Sequence, residues 1–169
     1  EVKEGKGPYT QLIIRGVTII NGTGAPPQGP MDIVIENNRI VKIVSAGSPG
    51  MPNDASKRVA LKSGGVELQA EGMYAMPGFI DMHGHIGGSG QGTPAEYVFK
   101  LWMAHGITTI RDPSCGNGLD WVLDQKKKSA SNTITAPRIF AYTAFGLGAK
   151  TPITNESQAI EWVKQNAAN

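Results

Sequence analysis

The sequence contains a single cysteine, Cys115, so no disulfide can form within the chain and cysteine usage does not indicate a compartment. No apolar run approaches the ~20 residues that a membrane-spanning helix needs. No charge of either sign dominates, because the formal net charge is +2 and the one basic run, residues 126–128, follows the apolar part of a predicted helix. A solvated helix end explains this run better than nucleic-acid binding, and no RNA- or DNA-binding motif accompanies it.

The composition is that of a globular protein, with 40% hydrophobic and 18% charged residues. A length of 169 residues suffices for one domain with its own core, or for one and a half. The chain opens with Glu1 rather than Met, which is expected of a periplasmic or exported protein that has lost a signal peptide, and equally of a shortened cytoplasmic chain. The localisation therefore stays open.

Residues 1–75 are predicted to form a small antiparallel sheet or partial β-sandwich, because short runs rich in β-branched residues alternate with turn residues. Asn37 and Asn38 separate two of these runs, and since asparagine tolerates positive φ they predict a two-residue hairpin. Residues 45–65 predict a long loop around one short strand near Val59. The other predicted strands are residues 11–21, 31–36, 39–44 and 66–70.

The pattern changes at Pro77-Gly78, and in residues 76–169 strands alternate with amphipathic helices, as in parallel βαβ units. The sequence Thr93-Pro94-Ala95-Glu96 predicts a capping box with proline at the first helical position. The predicted strands are residues 79–85, 107–111 and 138–143, and the predicted helices run from residue 93 to Gly106, over 119–130 and over 155–167. The apolar residues expected to face inward are Tyr97, Val98, Leu101 and Trp102, then Leu119, Val122 and Leu123, then Ile160 and Val163.

The strongest chemical signal is the pair His83 and His85 at the end of a predicted strand. Side chains two positions apart in a strand point the same way, with Cα atoms ~6–7 Å apart, so both imidazoles can share one divalent ion. Gly84 between them adds no bulk and lets the backbone approach the site. Asp81, one step deeper on the same face, is a candidate to hold a ligand imidazole by a hydrogen bond.

Two histidines in one strand can also be buried neutral residues that bond to the backbone. Their position favours metal binding, because the pair lies at the carboxyl end of the first parallel strand, where α/β sheets and barrels bind ligands. We therefore predict that His83 and His85 are metal ligands.

The residues around this pair resemble a known family. The stretch from Met76 to His85 (MPGFIDMHGH) is similar to the signature that opens the barrel in the metal-dependent amidohydrolase superfamily. Residues 13–22, 32–36 and 39–40 resemble that family's N-terminal β-sandwich strands, and residues 105–112 resemble the second barrel strand of its imidazolonepropionase and Xaa-Pro dipeptidase branch. The fold implied is α/β, a partial N-terminal β-sandwich followed by the first three strand–helix units of a (β/α)₈ TIM barrel.

The resemblance implies one or two divalent metal ions, Zn²⁺ above all, and hydrolysis of a C–N bond in a small amide, dipeptide, N-acyl amino acid or imidazolone-like substrate. His83 and His85 would bind the more buried ion. The family's remaining parts are a lysine after the fourth strand, histidines after the fifth and sixth, and a catalytic aspartate after the eighth, so the catalytic residues are expected beyond Asn169. We expect the 169 residues alone to be inactive, because two histidines fall short of the three protein ligands usual at catalytic zinc.

Two rival functions stay open. A deaminase of the same superfamily shares both histidines but releases ammonia from a heterocycle. A non-catalytic module would use the histidines structurally, or would bind metal only to stabilise a partner interface. The expected partners are a small-molecule substrate and the remainder of the barrel, with neither nucleic acid nor membrane, and a homo-oligomer is left open.

Four further residues are candidates at or near the same rim. Asp112 follows the second strand, where a substrate-pocket or metal-supporting role is as well supported as plain loop capping. An ion pair with Asp112 is favoured for Arg111 over a substrate carboxylate, and a bystander thiol is favoured for Cys115 over a metal ligand. Tyr142 lies near the exit of the third strand and is predicted either to reach substrate or to pack in the core.

His105 and a glycine-rich loop have simpler interpretations. His105 ends a helix just before Gly106, where the helix dipole stabilises it. Residues 87–92 form either a mobile lid or a connector, and their glycines lack the Lys-Ser/Thr of a phosphate-binding loop, which argues against nucleotide binding.

Overall fold

The computed structural model describes residues 7–86 and 92–167. The chain folds into two compact units, Glu1–Pro77 and Gly78–Asn169. Among the described residues, none of the helices combines the length and the apolar character that crossing a membrane requires.

The first unit is built on a five-stranded mixed sheet in the order β3-β2-β1-β4, with β5 also pairing with β1. The predicted antiparallel pairing is confirmed for β1, β2 and β3 but is wrong for β4 and β5, because the long connection after β3 returns the chain to the far edge of β1, where β4 and β5 run parallel to it. The strands are β1 (Leu12–Ile19), β2 (Gln28–Glu36), β3 (Arg39–Ser45), β4 (Val66–Gln69) and β5 (Tyr74–Ala75).

The hairpin between β2 and β3 is confirmed. Asn37 and Asn38 have φ values of 48° and 60°, the left-handed conformation that a two-residue turn of this type requires. The strand predicted near Val59 is wrong, since the described segment there holds only a 3₁₀ turn, Ala55–Lys57. The carboxylate of Asp54 begins this turn by accepting a hydrogen bond from the Ser56 amide at 3.0 Å.

Charged residues occupy part of the interior of this unit. The carboxylate of Asp32 is fully buried and accepts hydrogen bonds from Arg15 at 2.8 Å and Arg58 at 2.9 Å. The Gly16 amide donates a further bond to it at 2.9 Å, and Arg15 also pairs with Glu67. The buried carboxylate is thus fully hydrogen-bonded, as its burial requires.

The second unit alternates strands and helices as predicted. Its sheet is parallel, in the order β6-β7-β8, and helices pack on one face. Ile110 and Ile139 from the sheet are buried against Phe99 and Val122 from the helices. The elements are β6 (Phe79–Asp81), α1 (Ala95–Ala104), β7 (Ile107–Cys115), α2 (Leu119–Ala130), β8 (Arg138–Thr143) and α3 (Glu156–Ala167).

The predicted start of α1 is wrong in detail. Pro94 is the N-cap residue, in extended conformation and with no side-chain cap bond, so the helix begins one residue later and no capping box forms. Glu96 instead pairs with Lys100 one turn along, at 2.9 Å.

The inward faces of α1 and α3 also differ from the prediction. In α1 the buried residue is Phe99, with Trp102 partly buried beside it, whereas Tyr97 and Leu101 are exposed. In α3 the residues expected inside, Ile160 and Val163, are about half exposed. Helical periodicity showed that each helix has an apolar side, but it did not show which of its residues the neighbouring elements would cover.

Candidate metal centre

His83 and His85 lie on the loop that follows β6, not within the strand. The predicted strand over residues 79–85 is wrong, because β6 ends at Asp81, whose carboxylate accepts a hydrogen bond from the His83 amide at 3.0 Å. The Gly84 amide then donates to the carbonyl of Arg111 in β7 at 3.1 Å. These two bonds replace the strand ladder with a turn.

The two imidazole rings are nevertheless adjacent. Their centroids are 5.1 Å apart, and their planes lie at 82° to one another. Two imidazoles bound to one tetrahedral ion at Zn–N distances of ~2.0–2.1 Å have ring centres about 5 Å apart. The spacing of His83 and His85 therefore fits two ligands of a single metal ion.

Asp112, in β7, lies beside one ring of the pair, that of His85. Its carboxylate is fully buried and accepts hydrogen bonds from the amides of Ile86 and Ser114, both at 3.1 Å. Its Oδ1 also lies 3.3 Å from Nδ1 of His85, whose side chain is 45% exposed. Asp112 thus caps the loop by accepting the two amide bonds, and its carboxylate also lies beside a candidate ligand.

This contact bears on which nitrogen of His85 would bind an ion. When Nδ1 carries the proton and donates to Asp112, the lone pair of neutral imidazole is on Nε2. A carboxylate in this position holds the ring in orientation and makes the ligating nitrogen more basic. The 3.3 Å separation thus places a carboxylate beside Nδ1 of His85, with Nε2 on the other side of the ring.

Cys115 is buried beside Asp112 and belongs to the core of the second unit. Burial raises the pKa of its thiol, and the charge and hydrogen bond of the Asp112 carboxylate raise it further, against the opposing effect of nearby backbone amides. A thiol held protonated is a poor metal ligand, in agreement with its interpretation as a bystander.

Asp81 shapes the loop without contacting a histidine ring in any described hydrogen bond. A Cβ placed on Gly84 would lie 2.9 Å from Oδ2 of Asp81 and 2.8 Å from Cζ2 of Trp102. Only glycine therefore lets the loop approach α1 this closely. In the sequence, the glycine between the two histidines was the one sign that another side chain, here Trp102, packs against the loop.

The predicted ion pair between Arg111 and Asp112 is wrong. Successive residues of a strand point to opposite faces of the sheet, so the side chains of Arg111 and Asp112 lie on opposite faces. Its guanidinium is 4.8 Å from the ring centre of Tyr142, and its Nη1 donates to the carbonyl of Met82 at 3.3 Å. Tyr142 is about half exposed, at the carboxyl end of β8.

The third histidine, His105, lies at the end of α1. His105 is the C-cap residue of α1, and its Nδ1 lies 2.7 Å from the carbonyl of Leu101, which agrees with its expected role at a helix end. The glycine-rich loop of residues 87–92, interpreted as a lid or a connector, lies outside the described residues except for Gly92.

The donor set fits part of a metal site. Within residues 7–86 and 92–167, no cluster of three or more histidine, cysteine or acidic side chains is arranged to hold an ion. His83 and His85 therefore supply two ligands, while a catalytic zinc usually takes three from the protein. A complete coordination sphere needs donors from outside the described residues.

Comparison with curated proteins finds relatives that are much longer than this chain. The chain is 37% identical over 110 residues to adenine deaminase 2 of Desulfotalea psychrophila, a match that covers 59% of the chain and 19% of the relative. It is 30% identical over 136 residues to N-acyl-D-aspartate deacylase of Alcaligenes xylosoxydans xylosoxydans, with 79% and 24% covered. The matched region thus spans about a fifth to a quarter of these relatives.

Solved structures confirm the fold. A Xaa-Pro dipeptidase with bound methionine in its active site superposes with a TM-score of 0.67 at 18% identity, covering 94% of this chain and 44% of that one. No family model matches the chain. Relatives named as a deaminase and a deacylase, together with the TIM-barrel fold of the structural neighbours, show that the chain belongs to the amidohydrolase superfamily.

Proposed function

We propose that this chain carries the first two metal ligands of a hydrolase that cleaves a C–N bond by means of a metal-activated water. His83 and His85 would bind the ion, and Asp112 would orient His85. The observation that carries the proposal is the pair of rings with centroids 5.1 Å apart, one of them backed by a buried carboxylate.

The expected ion is Zn²⁺, alone or as one of two, because neutral imidazole nitrogens are among its preferred ligands. Such an ion polarises the scissile group and lowers the pKa of a bound water, which supplies a nucleophile near neutral pH. The remaining ligands and the catalytic acid or base would come from the rest of the barrel. The 169 residues alone are therefore expected to be inactive.

A small amide, such as a dipeptide or an N-acyl amino acid, is the favoured substrate. The similarity to N-acyl-D-aspartate deacylase supports an N-acyl amino acid. The likeness in fold to a Xaa-Pro dipeptidase is in keeping with a dipeptide and with the imidazolonepropionase and dipeptidase branch. Deamination of a heterocycle is the second candidate, supported by the 37% identity to adenine deaminase 2.

The first experiment measures the metal content of the full-length protein that carries these residues. Replacing both ligands, His83→Ala with His85→Ala, should remove bound zinc and hydrolytic activity together. The matched control is His105→Ala, a histidine at a helix end, which should change neither. Unchanged metal content and activity in the double variant would favour the non-catalytic module.

A second experiment separates the two reactions. The full-length protein is assayed against small amides and against aminated bases, with ammonia detection in both sets. Amide hydrolysis without ammonia release from the bases supports the first candidate. Ammonia release from a base alone supports the deaminase.

A further inference from the structure

Arg111 lies on the open face of the second unit's sheet, the face that the helices leave uncovered. It pairs with Phe140 in the β7–β8 register, so Phe140 and Tyr142 share its side of the sheet. Both aromatic residues are about half exposed. In a closed (β/α)₈ barrel this face is the interior, and its carboxyl end is where substrates bind.

The guanidinium is held in place but has no anionic partner among the described residues. The ring centre of Tyr142 lies 4.8 Å from the guanidinium carbon. Among the described residues, Nη1 of Arg111 is the one guanidinium nitrogen that donates a hydrogen bond, to the carbonyl of Met82. The nearest acid in sequence, Asp112, faces the other way and is already bonded to two amides and in contact with His85. The edge formed by Nε and Nη2 is therefore available for a ligand.

The position of this cation relative to the candidate ligands is fixed by the backbone. Met82, whose carbonyl accepts the bond from Arg111, immediately precedes His83. The carbonyl of Arg111 itself accepts the hydrogen bond from Gly84, between the two histidines. The strand that carries the guanidinium thus also holds the loop that carries the imidazoles.

We propose that Arg111 is a specificity-determining residue that binds a carboxylate of the substrate beside the metal ligands. The proposal rests on the function proposed above and narrows its substrate class to amides that carry a carboxylate, such as N-acyl amino acids and dipeptides. A planar guanidinium matches a carboxylate with two parallel hydrogen bonds, and the contacts with Tyr142 and Met82 hold it in place before the substrate arrives. A neutral heterocycle offers no such anion.

The test compares matched ligands in the full-length protein. Each N-acetyl amino acid of a panel is assayed beside its C-terminal carboxamide, which differs only in charge. The wild type should prefer the acid, and Arg111→Met should lower kcat/KM for the acid by about 10- to 100-fold, mainly through KM, because a charge-assisted bond is lost. The carboxamide should change little.

Arg138→Met is the matched control, since Arg138 lies on the same face at the other end of β8 and is exposed. It should leave both substrates unchanged. A calorimetric titration of the metal-depleted protein with the same pairs measures binding without turnover, and Arg111→Met should abolish the preference for the acid there too.

The outcomes separate the two proposals. If the wild type shows no preference for the acid in either assay, or if Arg111→Met keeps that preference, the role of Arg111 is refuted, whatever the protein hydrolyses. If neither set is hydrolysed and no zinc binds, the hydrolase proposal fails, while the titration still decides whether Arg111 binds carboxylates.

Discussion

The buried carboxylate of Asp112 makes several polar contacts in the candidate site, and each of its described partners is a hydrogen-bond donor. Replacing it with asparagine keeps the shape but places an NH₂ group against one of these donors. We expect Asp112→Asn to weaken zinc binding by about 10- to 100-fold, because His85 loses the partner that orients it. A chelator competition titration of the full-length protein measures the change.

The same substitution should also lower the free energy of unfolding by about 1–3 kcal/mol, since a buried amide donor is left unsatisfied. Asp120→Asn is the matched control, because Asp120 is exposed in the first turn of α2. Lost stability with unchanged zinc affinity would mean that Asp112 only braces the loop.

Asp32 makes the first unit sensitive to acid. Burial alone would raise the pKa of its carboxyl, but hydrogen bonds from Arg58 and Arg15 and from the Gly16 amide outweigh burial and hold the pKa below its ordinary value. A lowered pKa in the folded state means that the stabilisation is complete above the ordinary pKa of 3.8 and is lost as the pH falls through the lowered value.

We therefore expect Asp32→Asn to lower the free energy of unfolding by about 3–5 kcal/mol at neutral pH, because the buried Arg15 and the partly buried Arg58 lose the carboxylate that they share. The difference between wild type and variant should shrink in acid, where the wild type protonates Asp32. Urea titrations in neutral and acidic buffer measure both values. Glu96→Gln, at an exposed helix pair, should change stability by at most about 1 kcal/mol, and an equally large loss there would contradict a special role for burial at Asp32.

At the scale of elements, the close approach of the histidine loop to α1 depends on Gly84. We expect Gly84→Ala to lower the free energy of unfolding by about 1–3 kcal/mol and to weaken zinc binding, because the new methyl would overlap Trp102 and Asp81. Gly116→Ala is the matched control, since a Cβ there meets nothing within 4 Å and the backbone is unstrained. Adding Trp102→Phe, which removes the atom in conflict, should restore part of both losses. Equal effects of the two alanine substitutions would contradict the packing.

The elements that the sequence predicted best are those specified by local chemistry. The bounds of α2 and β8 agree with the prediction, and the hairpin turn at Asn37-Asn38 follows from the tolerance of asparagine for positive φ. The prediction failed where a side chain or a distant strand competes with the local pattern. Asp81 ends β6 by bonding to the His83 amide, and an extended Pro94 delays the start of α1.

The candidate site shows the same division between local and distant information. The spacing of the two histidines at the end of a predicted parallel strand was sufficient to predict that their rings lie close together. The support from Asp112 and the stacking of Arg111 on Tyr142 depend on how β6, β7 and β8 are aligned, which no single segment specifies. The register of a parallel sheet is set by packing on its helices and not by either strand alone.

At the scale of the whole molecule, the second unit leaves apolar surface uncovered. Ile80 and Phe140 are each more than half exposed on the open face, and among the described strands β6 and β8 each have one neighbour. Exposed sheet faces and unpaired edges promote association between chains. We expect the 169-residue chain to associate with increasing concentration, because its open face and sheet edges can pair with those of another copy. Sedimentation velocity across a concentration series measures this, and Phe140→Ser with Ile80→Ser should reduce association, while Val41→Ser, an exposed apolar residue on β3, should not. A chain that stays monomeric at every concentration would contradict a role of the open face in association.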